Sequence, residues 1–146
     1  MNSALSVFVD SDVIISSLIS QKGAASILLN SKNFKFFISN ISYKELEIVV
    51  ERLNLDKGKL SELIKDRFGK IGLKEKLDKI KSQFSKYTKD PNDTHIVAGA
   101  VMVKARFLVS YNVRDFYLDK IKKDFKIIIL TPAVLLQYLR SLEQKH

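Results

Sequence analysis

Val7-Phe8-Val9-Asp10-Ser11-Asp12-Val13 sets an unbroken apolar run directly before two acids, and this stretch decides the fold. Leu5 to Val9 reads as a strand buried on both faces, because a strand with one wet face would alternate apolar and polar residues. The same signature recurs at Phe34 to Ile38, Phe107 to Val109 and Ile127 to Leu130. Between these runs, Leu46, Val49, Val50 and Leu53, and later Ile96, Ala100, Val103 and Ala105, follow helical spacing. Strands alternating with helices predict an α/β protein: a central parallel sheet of about four to five strands, with helices on both faces in a three-layer α/β/α arrangement.

The 146 residues suit one domain, residues 1–146. Within it, Asn54 to Asp90 carries eleven Lys/Arg against six Asp/Glu, so +5 of the total +9 lies in a quarter of the chain. Leu60, Leu63 and Ile64, then Leu73, Leu77, Ile80 and Phe84, predict two amphipathic helices broken near Gly69 and Gly72, forming a basic arm over 54–90. The arm is either a solvated hairpin or a surface for a polyanion, with RNA the first candidate. Thr131-Pro132 predicts the N-cap and first position of a last helix running to about Leu142. Its apolar face is either core or the seam of a homodimer.

Cysteine is absent, which excludes a disulfide framework, a thiol nucleophile, a zinc ribbon and an iron–sulfur site. No Gly-rich phosphate loop and no Gly-x-Ser-x-Gly elbow is present. No apolar stretch reaches the roughly 18 residues of a membrane helix, and no basic region precedes an apolar leader. A cytoplasmic protein without membrane contact is expected.

The acids carry the chemistry. Ser42-x-x-Glu45, Asp90-Pro91-Asn92-Asp93 and Asn112-x-x-Asp115 each look like a capping box, in which a short polar residue and an acid satisfy the first helical N–H groups. Helix starts that follow parallel strands nevertheless gather at the sheet's carboxyl edge, where ligands bind. Asp10, Glu45 and Asp115 should meet there, and clustered carboxylates repel unless protonated or bridged by a cation. Oxygen-only ligands favour Mg²⁺ or Mn²⁺. His95 reads as a surface or phosphate-neighbouring residue and His146 as a frayed end.

Val7 to Val13, Ser39-x-x-Ser42-x-x-Glu45-Leu46, Asp90-Pro91-x-Asp93-x-x-Ile96, Leu108 to Phe116 and Ile129-Leu130-Thr131-Pro132, in this order over nearly the whole chain, resemble the PIN-domain ribonucleases. The likeness is strongest to the VapC-like toxins of toxin–antitoxin pairs. It implies a metal-dependent endoribonuclease whose Asp10, Glu45, Asp93 and Asp115 hold one or two Mg²⁺ or Mn²⁺ that activate water against an RNA phosphodiester. Ser11 and Ser110 would touch phosphate oxygens, and Asp12 and Asp90 would support or cap. Many relatives carry an acid where Asn112 stands, so the last ligand is either Asn112 or Asp115, and with Asp115 in that place Asn112 would orient a water or a phosphate. An antitoxin protein and a second copy of the chain are the partners the resemblance implies. Two other readings compete: a haloacid-dehalogenase-like phosphatase using Asp10 and Asp12, and a non-enzymatic basic module that binds RNA or protein.

Overall fold

The computed structural model describes residues 4–144, the side chain of Gln144 excepted, so the reading of His146 lies outside the described residues. Five strands form one sheet: β1 (Leu5–Val9), β2 (Phe34–Ser39), β3 (Phe68–Ile71), β4 (Phe107–Val109) and β5 (Ile128–Leu130). Their order is β3-β2-β1-β4-β5 and every pairing is parallel. The strand order reverses direction between β1 and β4, which makes the gap beyond their carboxyl ends the topological switch point.

The period of two along each strand sends alternate side chains to two separate cores. Val7, Val9, Phe36, Ile38, Phe107 and Val109 pack toward α1 (Ser11–Ile19), α2 (Ala24–Leu29), α3 (Asn40–Arg52), α4 (Lys57–Arg67) and α8 (Pro132–Gln144). Phe8 and Leu108 point the other way, into a core built with α6 (Thr94–Met102) and α7 (Leu118–Phe125). α5 (Leu77–Phe84) packs beside α6 and buries Ile80. Burial on both faces explains why the strands read as continuous apolar runs.

Several local expectations need correcting. Residues 54–90 hold a strand as well as the two helices: β3 lies between α4 and α5 and extends the sheet beside β2. Phe68-Gly69-Lys70-Ile71 is a four-residue edge strand with Gly69 and Lys70 exposed, so it carries no buried run to read. α3 begins at Asn40, with the Ser39 hydroxyl accepting from Ser42 N–H at 3.1 Å, which puts Glu45 beyond the cap rather than in a box with Ser42. Asn112 makes no side-chain cap either. Asp90 does cap, accepting from Asn92 N–H at 2.9 Å, and Thr131 accepts from Val134 N–H at 3.4 Å at the start of α8. Among the described residues, no helix is long and apolar enough to cross a membrane.

Candidate active site

Asp10 ends β1 and precedes α1, Asp12 lies in the first turn of α1, and Ser110 follows β4, so all three meet at the switch point. Asp93 closes the 3₁₀ turn Pro91–Asp93 before α6, and Asp115 closes the turn Val113–Asp115 after β4. Neither Asp10 nor Asp93 makes a side-chain capping bond, although each stands at a helix N-terminus where the backbone dipole favours negative charge.

Ser110, fully buried, holds the cluster from β4: its Oγ donates to Asp10 Oδ2 at 2.8 Å and accepts from Asn112 N–H at 3.0 Å. Asp12 Oδ2 accepts from Tyr111 N–H and from Asn112 Nδ2, both at 3.1 Å. Asp12 Oδ1 is buried without a partner among the described residues. Asn112 therefore orients Asp12 through its amide.

The electrostatics follow from burial and crowding. Burial, and then the neighbouring Asp12, push the Asp10 carboxyl up to about 7, against the opposing pull of Ser110, Ser11 N–H and His95. Asp93 is pushed up to about 6 by burial first, then by Asp10, Asp90 and Asp115, with His95 opposing. Asp12 is raised by burial, with Asp115 adding to the rise. In a chain of net charge +9, none of Asp10, Asp12, Asp93 or Asp115 forms an ion pair with Lys or Arg among the described residues.

Glu45 contacts His95. Its Oε1 lies 3.1 Å from His95 Nε2, and His95 is only 5% exposed, which overturns its reading as a surface residue. His95 also acts electrostatically on Asp10 and Asp93. Its Nδ1 is buried without a partner among the described residues. Sequence reasoning missed this link. The available signal was Ile96-Val97-Ala98-Gly99-Ala100, a helix apolar all round and therefore buried, beginning one residue after the histidine.

A divalent cation fits these residues by donor chemistry: buried carboxylate oxygens, one of them unpartnered, with raised affinity for positive charge. Among the described residues, no group of three or more His, Asp or Glu side chains is closed around a single point, and uncompensated carboxylates repel. A cavity of about 580 Å³ adjoins the cluster through Glu45 and His95. The larger cavity, about 760 Å³, lies at the sheet's opposite edge among Lys104, Arg106, Lys122 and Lys126, away from the acids.

Fold and cluster together define a parallel α/β protein with an acidic site at the carboxyl edge. Residues 6–114 match the family described as PIN domain, and the chain belongs to that family, whose members are nucleases. No curated protein sequence matches significantly. Among solved structures, a toxin–antitoxin complex from Klebsiella pneumoniae is similar at a TM-score of 0.63 and 20% identity, over 89% of this chain and 98% of that one. VapBC2 from Rickettsia felis, bound to a DNA fragment from its promoter, aligns at 0.59 and 18% identity over 86% and 97%. FitAB bound to the IR36 DNA fragment aligns at 0.58 and 18% identity over 86% and 94%. At these identities the structural likeness concerns the fold. The family match leaves no place for the phosphatase reading of Asp10 and Asp12.

Proposed function

We propose that the chain is a metal-dependent endoribonuclease and the toxin of a toxin–antitoxin pair. The observation that carries the hydrolytic part is the cluster of aspartates around buried Asp10, none of them paired with Lys or Arg among the described residues of a strongly basic protein. Asp10, Glu45, Asp93 and Asp115 would hold one or two Mg²⁺ or Mn²⁺. A bound ion supplies neutralisation of phosphate charge and a water nucleophile at neutral pH.

The chain's own residues do the rest. Ser110 and Asn112 fix the orientation of Asp10 and Asp12, and His95 holds Glu45 toward the cluster. The lysines of 54–90 hold the RNA backbone, since phosphate contacts position a strand without reading its sequence. Family membership and likeness to three structures from toxin–antitoxin systems support the toxin reading. An antitoxin protein would be the partner in the cytoplasm. A second copy of the chain would meet the exposed Ile19, Ile27 and Val134 on α1, α2 and α8.

Incubation of the purified chain with a single-stranded RNA pool tests the reading. Cleavage should require Mg²⁺ or Mn²⁺ and stop in EDTA, and Asp10→Asn and Asp93→Asn should each lose about a hundredfold or more in rate. Full cleavage in excess chelator, or near wild-type rates in either variant, would contradict it.

A further inference from the structure

The cavity beside the acids has a composition that the cluster does not account for. It runs between α3 and α5 and is lined by the apolar Ile41, Ile48, Leu73 and Leu77 together with Lys44 and Lys81. Ile48 is 64% exposed and Leu77 50%, so two large apolar side chains face solvent in an otherwise charged region. The wall is built rather than incidental. Leu73 N–H donates to Asn40 Oδ1 at 2.8 Å and Asn40 Nδ2 donates back to Leu73 C=O at 3.4 Å, pinning the segment before α5 against α3.

Charge narrows the occupant. The two acids of the lining already have partners: Glu75 pairs with Lys79 at 3.1 Å and Glu45 with His95 at 3.1 Å. Lys44 and Lys81 form no ion pair among the described residues. The groove therefore combines apolar side chains with uncompensated cations, and it ends at Glu45, His95 and Asn92, next in sequence to Asp93. Its volume of about 580 Å³ falls inside the roughly 300–1,000 Å³ range of preformed ligand pockets.

Resting on the nuclease reading above, we infer that this groove seats one unstacked nucleotide of single-stranded RNA next to the scissile phosphate, its base on Ile48 and Leu77 and its phosphate on Lys44 and Lys81. A strand whose phosphodiester lies at the aspartates continues along the adjoining depression. An unstacked base buries its faces against apolar side chains, while the charged backbone takes the lysines. Asn92 lines the groove near the cluster. Its side chain makes no hydrogen bond among the described residues, whereas the Asn40 amide is held by Leu73, so Asn92 is the amide placed to read the base edge.

The test is RNA binding in EDTA, followed by fluorescence anisotropy, with a single-stranded RNA oligomer and with the same oligomer carrying one abasic residue moved along its length. Wild type should lose about tenfold in affinity at one abasic position. Ile48→Glu with Leu77→Glu, both at exposed sites, should lose at least as much on the intact strand, keep the wild-type melting temperature and no longer respond to the abasic residue. Lys44→Ala with Lys81→Ala should weaken all strands alike. A flat abasic scan, or wild-type RNA affinity in the Glu variants, overturns the groove even if wild type cleaves RNA with Mn²⁺. If those Glu variants keep their RNA affinity and change only the sedimentation of the protein, the groove is a contact between copies and the proposal is overturned. Base-dependent binding lost in the Glu variants, without cleavage by wild type in Mn²⁺, upholds the groove and retires the hydrolytic reading alone.

Discussion

Ser110 Oγ donates a 2.8 Å hydrogen bond to Asp10 Oδ2, joining the carboxyl ends of β4 and β1 across the point where the strand order reverses. The hydroxyl is fully buried and also accepts from Asn112 N–H at 3.0 Å. One small side chain thus fixes the acid at the centre of the cluster and the turn that carries Asn112.

Ser110→Ala should therefore cost more than a surface serine would. It leaves a buried carboxylate and a backbone N–H each short of a partner, a loss of about 1–3 kcal/mol. Urea unfolding in EDTA above pH 7, where Asp10 is largely ionised, reads it directly. A loss below about 0.5 kcal/mol, the range of neutral surface changes, would mean that the hydroxyl does not bridge these groups.

Gly99 makes a second sharp case. A Cβ at this position would clash with Cζ of Phe8, whose ring is fully buried. Alanine gains up to about 1 kcal/mol of helix propensity over glycine, but overpacking a dense core costs about 1–3 kcal/mol. Gly99→Ala should lower the melting temperature by a few degrees, and an unchanged or higher value would show that the core gives way around Phe8.

The pH dependence of the metal-free protein carries a definite sign. Asp10 titrates at about 7 and Asp93 at about 6, each against 3.8 for the unperturbed side chain. The native state therefore binds these protons more tightly than the unfolded chain. The resulting stability is complete below 3.8 and lost as pH rises toward about 7. Asp93 is half-exposed and contributes less. Melting curves in EDTA should show wild type and Asp10→Asn close together near pH 4, with the variant gaining on wild type up to about pH 7. Parallel curves would remove the buried-charge account of Asp10.

Lys74 and Lys76 lie exposed just before α5 and Lys79 lies exposed in its first turn, where its contact with Glu75 is a surface pair of small worth. If they hold phosphates, reversing all three to Glu should weaken RNA binding and flatten its salt dependence by roughly 0.7 per lost contact. An unchanged slope would reassign these lysines to solubility or to a protein partner.

How much of this was legible in the sequence depended on burial. β1 and β4 read to the residue, because Leu5–Val9 is apolar but for Ser6, Phe107–Val109 is wholly apolar, and both stop at polar residues. β3 did not, since an edge strand four residues long with exposed Gly69 and Lys70 leaves no pattern. Asp10, Glu45 and Asp115 could be expected at one edge because each follows a strand of a parallel sheet, β1, β2 and β4, whereas Asp93 follows no strand and was suggested only by the family resemblance. The bond between His95 and Glu45 could not, because it joins two helices through side chains fifty positions apart, and no local spacing encodes such a contact. Asp12 reads from sequence as one more first-turn acid. Its unpartnered oxygen becomes visible only once Tyr111 and Asn112 are folded over it.

The central claim is that Asp10, Glu45, Asp93 and Asp115 share a divalent cation, and thermal melting against Mn²⁺ concentration tests it most directly. Wild type should gain stability with the logarithm of Mn²⁺ above the dissociation constant, by about 2.7 kcal/mol at a hundredfold excess. Asp10→Asn and Asp93→Asn, at least as stable as wild type in EDTA near pH 7, should gain far less. Uniform destabilisation of these variants in EDTA, with no response to Mn²⁺ in any protein including wild type, would contradict the shared site and the nuclease function built on it.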